Sequence, residues 1–166
     1  TGLAEIKDLV LAWSASGIPA YDGPAGQVTH RDLLAEYAAF LNDLVPLGAS
    51  RHLDVVVDAG NGMGGHTVPA VLAGLPLTIT PLFFELDGTF PNHEANPIDP
   101  ENLRDLQAAV LEHGADLGLA FDGDADRCFV VDERGEAVSP STLTALIAAR
   151  ELAKEPGATV IHNVIT

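Results

Sequence analysis

Two kinds of apolar pattern alternate along the chain. "LDVVVD" (Leu53 to Asp58) and "LGLAF" (Leu117 to Phe121) are short, nearly continuous apolar runs, the pattern of strands buried on both faces of a parallel sheet. "LTITPLFF" has the same strand character. Between these runs the apolar residues fall at helical spacing. "THRDLLAEYAAFLNDLV" offers Thr29 as an N-cap, Asp32 three residues on, and a stripe of Leu33, Tyr37, Leu41 and Leu44. A glycine-rich turn, "AGNGMGG", leads into a short helix containing Pro69, and "PNHEANPIDPENLRDLQAAVLEHGAD" gives a proline-rich loop and then a helix. Asp99 caps that helix, Pro100 occupies its first turn, and Leu103, Leu106, Val110 and Leu111 form its stripe.

The C-terminal third reads as strand, Arg134-Gly135 turn and strand over "CFVVDERGEAV", then a helix from Ser139 and Pro140 to about Leu152. "GATVIHNVI" closes with a strand. At the other end, Gly2 to Ser14 is weakly helical, and "SGIPAYDGPAGQ" is a turn-rich linker or long surface loop. Strand and helix alternating in this way imply parallel pairing, right-handed crossovers and helices on the sheet faces. The expected fold is therefore α/β: a three-layer αβα domain with a mixed, mostly parallel sheet and a hairpin after Arg127.

Composition narrows the picture. A chain of 166 residues, 47% apolar and 5% aromatic, can bury one good core and is not intrinsically disordered. Asp and Glu outnumber Lys and Arg by 24 to 8, giving a formal charge of -16. Such a field repels nucleic acid and anionic membrane, so neither is expected as a partner. The single cysteine, Cys128, excludes an internal disulfide framework and fits a reducing cytoplasm; following an acidic loop into a strand, it reads as a buried structural thiol. No apolar run reaches the roughly 18 residues that span a bilayer. Glu5, Lys7 and Asp8 interrupt the place of a signal-peptide core. The chain opens on Thr1 and stops within "ATVIHNVIT", and an excised fragment of a larger protein is expected.

The chemistry concentrates in "FDGDADRCF". Asp122, Asp124 and Asp126 put three carboxylates within five residues between two strands. Like charges so close repel, and burial worsens the repulsion unless protons or a cation compensate. Residues two apart in a strand are separated by roughly 6.6 Å, too far to share one ion. The chain must therefore curl, which Gly123 and Ala125 permit. Three oxygen donors without His or Cys favour a hard cation such as Mg²⁺. Arg127 is placed to grip a phosphate oxygen beside it.

Other readings stay open on these residues. An EF-hand loop fits Asp122, Asp124, Asp126 and Glu133, but Arg127 sits where its glycine belongs and strands flank the loop. A haloacid-dehalogenase-like phosphatase would use Asp122 as nucleophile and Asp124 as acid/base, and needs a later lysine; only Lys154 follows, in a predicted helix. A solvated acidic turn is the plainest alternative. In "DAGNGMGG", tight strand-to-helix packing is favoured over phosphate binding, because the spacing matches neither a dinucleotide fingerprint nor a P-loop. Asn92 and His93 of "FPNHEANP" are read first as ordinary loop hydrogen-bonders. Asn61, Gly62, Asn92 and His93 remain candidate substrate-side positions.

Together these segments resemble one family. "GADLGLAFDGDADRCFVVDERG" is similar to the metal-binding segment of the α-D-phosphohexomutases, the phosphoglucomutase/phosphomannomutase superfamily. "LDVVVDAGNGMGG" and "FPNHEANPIDPENLRDL" resemble the same family's second domain in the same order. The resemblance implies a four-domain enzyme that moves phosphate between the 1- and 6-positions of a phosphorylated hexose through a phosphoserine. It implies that Asp122, Asp124 and Asp126 bind Mg²⁺ and that Arg127 supports the transferring phosphate. On this reading residues 1–166 are the second domain, with 1–16 the tail of the connection from the first and 163–166 the start of the link to the third. The family's phosphoserine segment and its sugar-selecting Gly-Glu-x-Ser-Gly-His loop do not occur in this sequence. The isolated chain is accordingly expected to be inactive, its partners being the other domains of the same protein. "FPNHEANP" resembles the phosphomannomutase and phosphoglucomutase branch more than phosphoglucosamine mutase.

Overall fold

The computed structural model describes residues 2–162, which divide into two units between Arg31 and Asp32. In the first unit α1 (Gly2–Ser16) carries no buried residue, and the segment up to Arg31 has no regular structure. The second unit holds the sheet. Its elements are α2 (Leu34–Leu44), β1 (Leu53–Asp58), α3 (Gly64–Val71), β2 (Leu77–Leu82), a 3₁₀ turn (Pro100–Leu103) running into α4 (Arg104–His113), β3 (Leu117–Phe121), β4 (Cys128–Asp132) and α5 (Pro140–Lys154). No helix among the described residues is long and apolar enough to cross a membrane.

The sheet order is β2-β1-β3-β4. β1 pairs in parallel with both β2 and β3, whereas β3 and β4 are antiparallel. The mixed, mostly parallel sheet is the one expected. Central β1 is buried on both faces, which explains its unbroken Val55-Val56-Val57 run. Val55 and Val57 pack with Val68 and Leu72 from the α3 side and with Leu117, Leu119 and Phe121 of β3. Val56, Ala120 and Val131 pack on the opposite face against Leu103, Leu106, Ala109 and Val110. A side chain at Gly118 would lie 2.8 Å from both Leu106 and Val110, so its absence lets α4 approach β3 closely.

Several details differ from the sequence expectation. α2 begins at Leu34, not after Thr29, because the Asp32 carboxylate accepts the Leu34 amide at 2.9 Å and sets the start. Its inward face is Ala38, with Leu34, Leu41 and Asn42 half-buried, one residue round from the predicted stripe; Leu33, Tyr37 and Leu44 are exposed. Asn42 donates to the Val71 carbonyl at 2.9 Å, fixing α2 against the end of α3. In the next helix Asp99 caps as expected, accepting the Glu101 amide at 3.0 Å, but Leu111 lies 59% exposed, a turn's fraction away from Leu106 and Val110. Cys128 is exposed at the start of edge strand β4, not buried, although surrounding atoms desolvate the thiol and push its pKa up to about 11.

The hairpin is also built differently. The acidic loop is itself the turn of the antiparallel β3–β4 pair. The strand predicted after Gly135 reduces to one bridge, Val131 to Ala137, and a bond from the Val138 amide to the Val130 carbonyl. Pro140 has no amide to continue a ladder and opens α5 instead. Residues 157–162 are exposed and form no strand; Asn163 to Ile165 of that predicted strand lie outside the described residues.

Candidate metal and phosphate site

Parallel pairing of β1, β2 and β3 brings their carboxyl ends to one edge of the sheet. Three loops meet there: residues 59–63 after β1, 83–99 after β2, and 122–127 after β3. The first and third touch directly, for the Met63 amide donates to the Gly123 carbonyl at 3.0 Å. A Cβ on Gly62 would stand only 2.6 Å from that same carbonyl. Only a residue without a side chain fits.

The acidic loop curls as its composition allows. Ala125 adopts φ of 61°, and its amide closes a turn onto the Asp122 carbonyl at 3.0 Å. One carboxylate oxygen from each of Asp122, Asp124 and Asp126 then lies within 4.8 Å of the others. An ion with ligands at about 2.1 Å needs opposite oxygens about 4.2 Å apart, so a small closure of side chains would complete such a set. Asp124 and Asp126 are exposed and free to make it, while Asp122 is fixed and buried. The all-oxygen donor set suits a hard divalent cation.

Arg127 is the counter-charge within the loop. Its amide donates to Asp122 Oδ1 at 3.1 Å and its Nε to Oδ2 at 2.6 Å. With about four lone-pair sites on the carboxylate, at least one stays open to a cation. Burial works to raise the Asp122 pKa, but these hydrogen bonds, one from Asp126 and the guanidinium charge outweigh it and hold the group below the usual carboxylate range. Asp126 moves the other way, raised by its hydrogen bond to Asp122 and by repulsion from Asp124 and Asp122. Because Nε is engaged on Asp122, the guanidinium has its two Nη groups left for a phosphate.

The glycine loop is organised from within. The amides of Asn61, Gly62, Met63, Gly65, His66 and Thr67 all donate to main-chain carbonyls of the protein. Gly65 has no room for a side chain because a Cβ would collide with the Phe84 carbonyl. Asn61, at φ of 59°, ties the loop to the one after β2: its amide donates to the Phe83 carbonyl at 2.8 Å, its carbonyl accepts from Asp87 at 3.0 Å, its Nδ2 donates to the Glu85 carbonyl at 2.8 Å, and its Oδ1 accepts from Asn92 at 2.8 Å. Asn tolerates the left-handed backbone and supplies both side-chain bonds. Asn61 and Gly62 also line a depression of about 210 Å³ with Met63, Asp87, Phe90 and Gly123.

His93 points inward. Its Nε2 lies 3.0 Å from Asp58 Oδ2 and its Nδ1 2.9 Å from the Glu94 carbonyl, with the Phe83 ring edge-on at 5.3 Å. Asp58, 1% exposed at the end of β1, also accepts the Gly60 amide at 2.8 Å. Asp58 was not singled out in the sequence, where an acid ending an apolar strand looks like a solvated terminus. Its one signal was a carboxylate directly after three buried valines. The structure thus brings Asp122, Asp124, Asp126 and Arg127 into one cluster, Asn61 and Asn92 into contact, and His93 into a buried pair.

Comparison with known proteins places the chain in a family. Residues 35–135 match the family described as phosphoglucomutase/phosphomannomutase, alpha/beta/alpha domain II. The chain is 42% identical over 159 residues to a phosphoglucomutase of Neisseria meningitidis serogroup B, covering 96% of the chain and 34% of that protein. It is 45% identical over 139 residues to a phosphomannomutase/phosphoglucomutase of Pseudomonas putida, covering 84% and 30%. Among solved structures, a phosphoglucomutase/phosphomannomutase family protein from Burkholderia thailandensis superposes with a TM-score of 0.78 at 32% identity, covering 93% of the chain and 33% of that protein. The chain spans about a third of the length of these relatives.

Proposed function

Because the chain belongs to the phosphoglucomutase/phosphomannomutase family, we propose that it is the cation-holding second domain of a phosphohexomutase that interconverts hexose 1-phosphate and hexose 6-phosphate. The observation that carries this reading is the convergence of three carboxylate oxygens within 4.8 Å on a loop whose neighbouring Arg127 bonds Asp122 through Nε, with no bond from either Nη among the described residues. Asp122, Asp124 and Asp126 would hold Mg²⁺. When bound, that ion neutralises charge on a transferring phosphoryl group.

The chain's own residues have distinct parts. Asp122 is immobilised by Arg127 and by burial, so it fixes where the set is centred. Asp124 and Asp126 close on that centre. Arg127 turns its remaining Nη groups to the phosphate, which suits a reaction catalysed largely by positioning and charge. Asn61 and Gly62 form the rim beside this cluster, with Asn92 and His93 on the loop behind it. The phosphoserine and the sugar-reading loop come from other domains of the same protein, so residues 1–166 alone do not turn over. The same charge and chemistry fit a cytoplasmic enzyme of carbohydrate metabolism.

The test is mutase activity of the full-length parent with glucose 1-phosphate and mannose 1-phosphate in Mg²⁺, beside Asp124→Asn. Loss of about 10²-fold or more in kcat in the variant, with the fold intact, is the expected result for a lost charge-stabilising group. Unchanged isomerisation would make the loop a solvated turn. Turnover by the 166-residue chain itself would refute the assignment of the phosphoserine to another domain.

A further inference from the structure

The loop after β2 bonds the glycine loop through Asn61 and also stands beside the acidic loop. Phe90 Cζ and Ala95 Cβ lie 3.4 and 3.8 Å from the position a side chain would take at Gly123. Ala95 Cβ and His93 Cε1 lie 3.2 and 3.5 Å from the corresponding position at Gly60. Residues 90–95 therefore form a wedge between the two neighbouring loops, and Phe90 holds it with φ of 50°, a conformation that needs outside support. The Phe90 amide bonds the Asp87 carbonyl at 3.0 Å, and three residues on the same loop is tied to β1 by the His93–Asp58 bond, made by a side chain 15% exposed to one 1% exposed.

We propose that His93 and Asp58 are positioning residues: their bond clamps the wedge against β1, so that Phe90 and Ala95 stand over Gly123 at the distance a side chain there would fill, limit how far that residue can move, and so keep Asp122, Asp124 and Asp126 in register for the cation. This inference rests on the reading of those three carboxylates as a cation site. The clamp is strongest when the imidazole is charged, since Nδ1 faces the Glu94 carbonyl and Nε2 faces the Asp58 carboxylate, both acceptors. The charged groups acting on the ring are Asp58 from β1 and Asp105 from α4, and Phe83 contributes only a ring edge. Burial alone would lower the imidazole pKa; the Glu94 carbonyl, Asp58 and Asp105 more than reverse it and raise it. Burial, opposed by the Gly60 amide and His93, raises Asp58.

Coupling between the clamp and the cation site is reciprocal, which gives a test by sign. If the cation prefers the clamped state, Mg²⁺ must raise the midpoint at which His93 loses its proton. Simple repulsion between two positive charges would lower it. The experiment follows the His93 ring and the Gly123 and Ala125 amides of the 166-residue chain by NMR from pH 5 to 9, with and without Mg²⁺. The expected result is that both amides track the His93 midpoint in the metal-free chain, that this transition vanishes in His93→Gln, and that Mg²⁺ raises the midpoint by about half a pH unit, a coupling of about threefold. Amides that ignore the His93 transition, or Mg²⁺ bound with the midpoint unchanged or lowered, overturn the clamp. Mg²⁺ that leaves Asp124 and Asp126 signals unmoved refutes the cation reading alone; the metal-free titration of Gly123 and Ala125 then decides the clamp by itself.

Discussion

Substituting Gly62→Ala isolates the contact on which the site depends. The added Cβ would lie 2.6 Å from the Gly123 carbonyl oxygen and 2.9 Å from its Cα, both main-chain atoms that cannot rotate away. Ordinary contact begins at 3.4 Å, so the glycine and acidic loops must separate by about 0.8 Å. That movement stretches the Met63-to-Gly123 hydrogen bond, now 3.0 Å. Overpacking costs about 1–3 kcal/mol, and a weakened hydrogen bond adds about 1 kcal/mol. For a domain of this size about 4 °C is lost per kcal/mol, giving a fall in Tm on the order of 10 °C. Gly62 itself has no left-handed φ, so backbone strain contributes nothing and the effect is steric. The second consequence concerns function: moving Gly123 displaces Asp122 and Asp124, which flank it, relative to Asp126. Isothermal titration of Mg²⁺ into the folded variant, read beside thermal unfolding, separates the two effects. An unchanged Tm would mean the loops are not in the close contact that the structure shows. A lowered Tm with unchanged cation affinity would mean that this contact stabilises the fold without shaping the acidic loop.

Two further outcomes follow from the titrating groups. Asp126 has a raised folded pKa, so its protonated form favours the folded loop and that contribution is lost as pH rises through the folded value. Asp126→Asn should therefore raise the Tm of the chelator-treated chain at neutral pH while abolishing the stabilisation that Mg²⁺ gives the wild type; a lower Tm in chelator would show that the three carboxylates do not repel. With a thiol pKa of about 11, Cys128 is only about 0.1% thiolate at pH 8. It should react with iodoacetamide at least tenfold more slowly than free cysteine despite its exposure, and reaction at the free rate would show that the thiol is well solvated.

How far the fold could be read beforehand depended on whether the signal was local. β1 and β3 are continuous apolar runs because both faces are covered. Asp99 and Pro100 mark a helix start by the bonds that they make or lack within a few residues. The inward face of α2 was less legible. Its buried position is Ala38, and an alanine chosen for close approach to α3 carries less weight in a pattern than Tyr37 beside it. The predicted C-terminal strand failed, among the described residues, for a related reason: β character in a sequence says nothing of whether an edge is there to pair with.

The candidate site shows the same division more sharply. Asp122, Asp124 and Asp126 were legible because a polar triplet inside two apolar strands has few structural uses. The parts that hold this triplet in shape were not, because each is a contact between residues far apart in sequence. Asp58 meets His93 across 35 positions and Asn61 meets Asn92 across 31. Asn61, Asn92 and His93 could be named as loop candidates, but nothing local showed which of them pair or that Asp58 takes part. Even the glycines carry different information in space: Gly62 serves Gly123, and Gly65 serves Phe84. Among the described residues, the four non-glycine positions with left-handed backbones, Asn61, Phe83, Phe90 and Ala125, all lie in the three loops at the carboxyl edge of the sheet. Strain of that kind persists only where neighbouring contacts over-determine the chain. It therefore marks the edge where three loops hold one another in place, independently of the carboxylates that first drew attention to it.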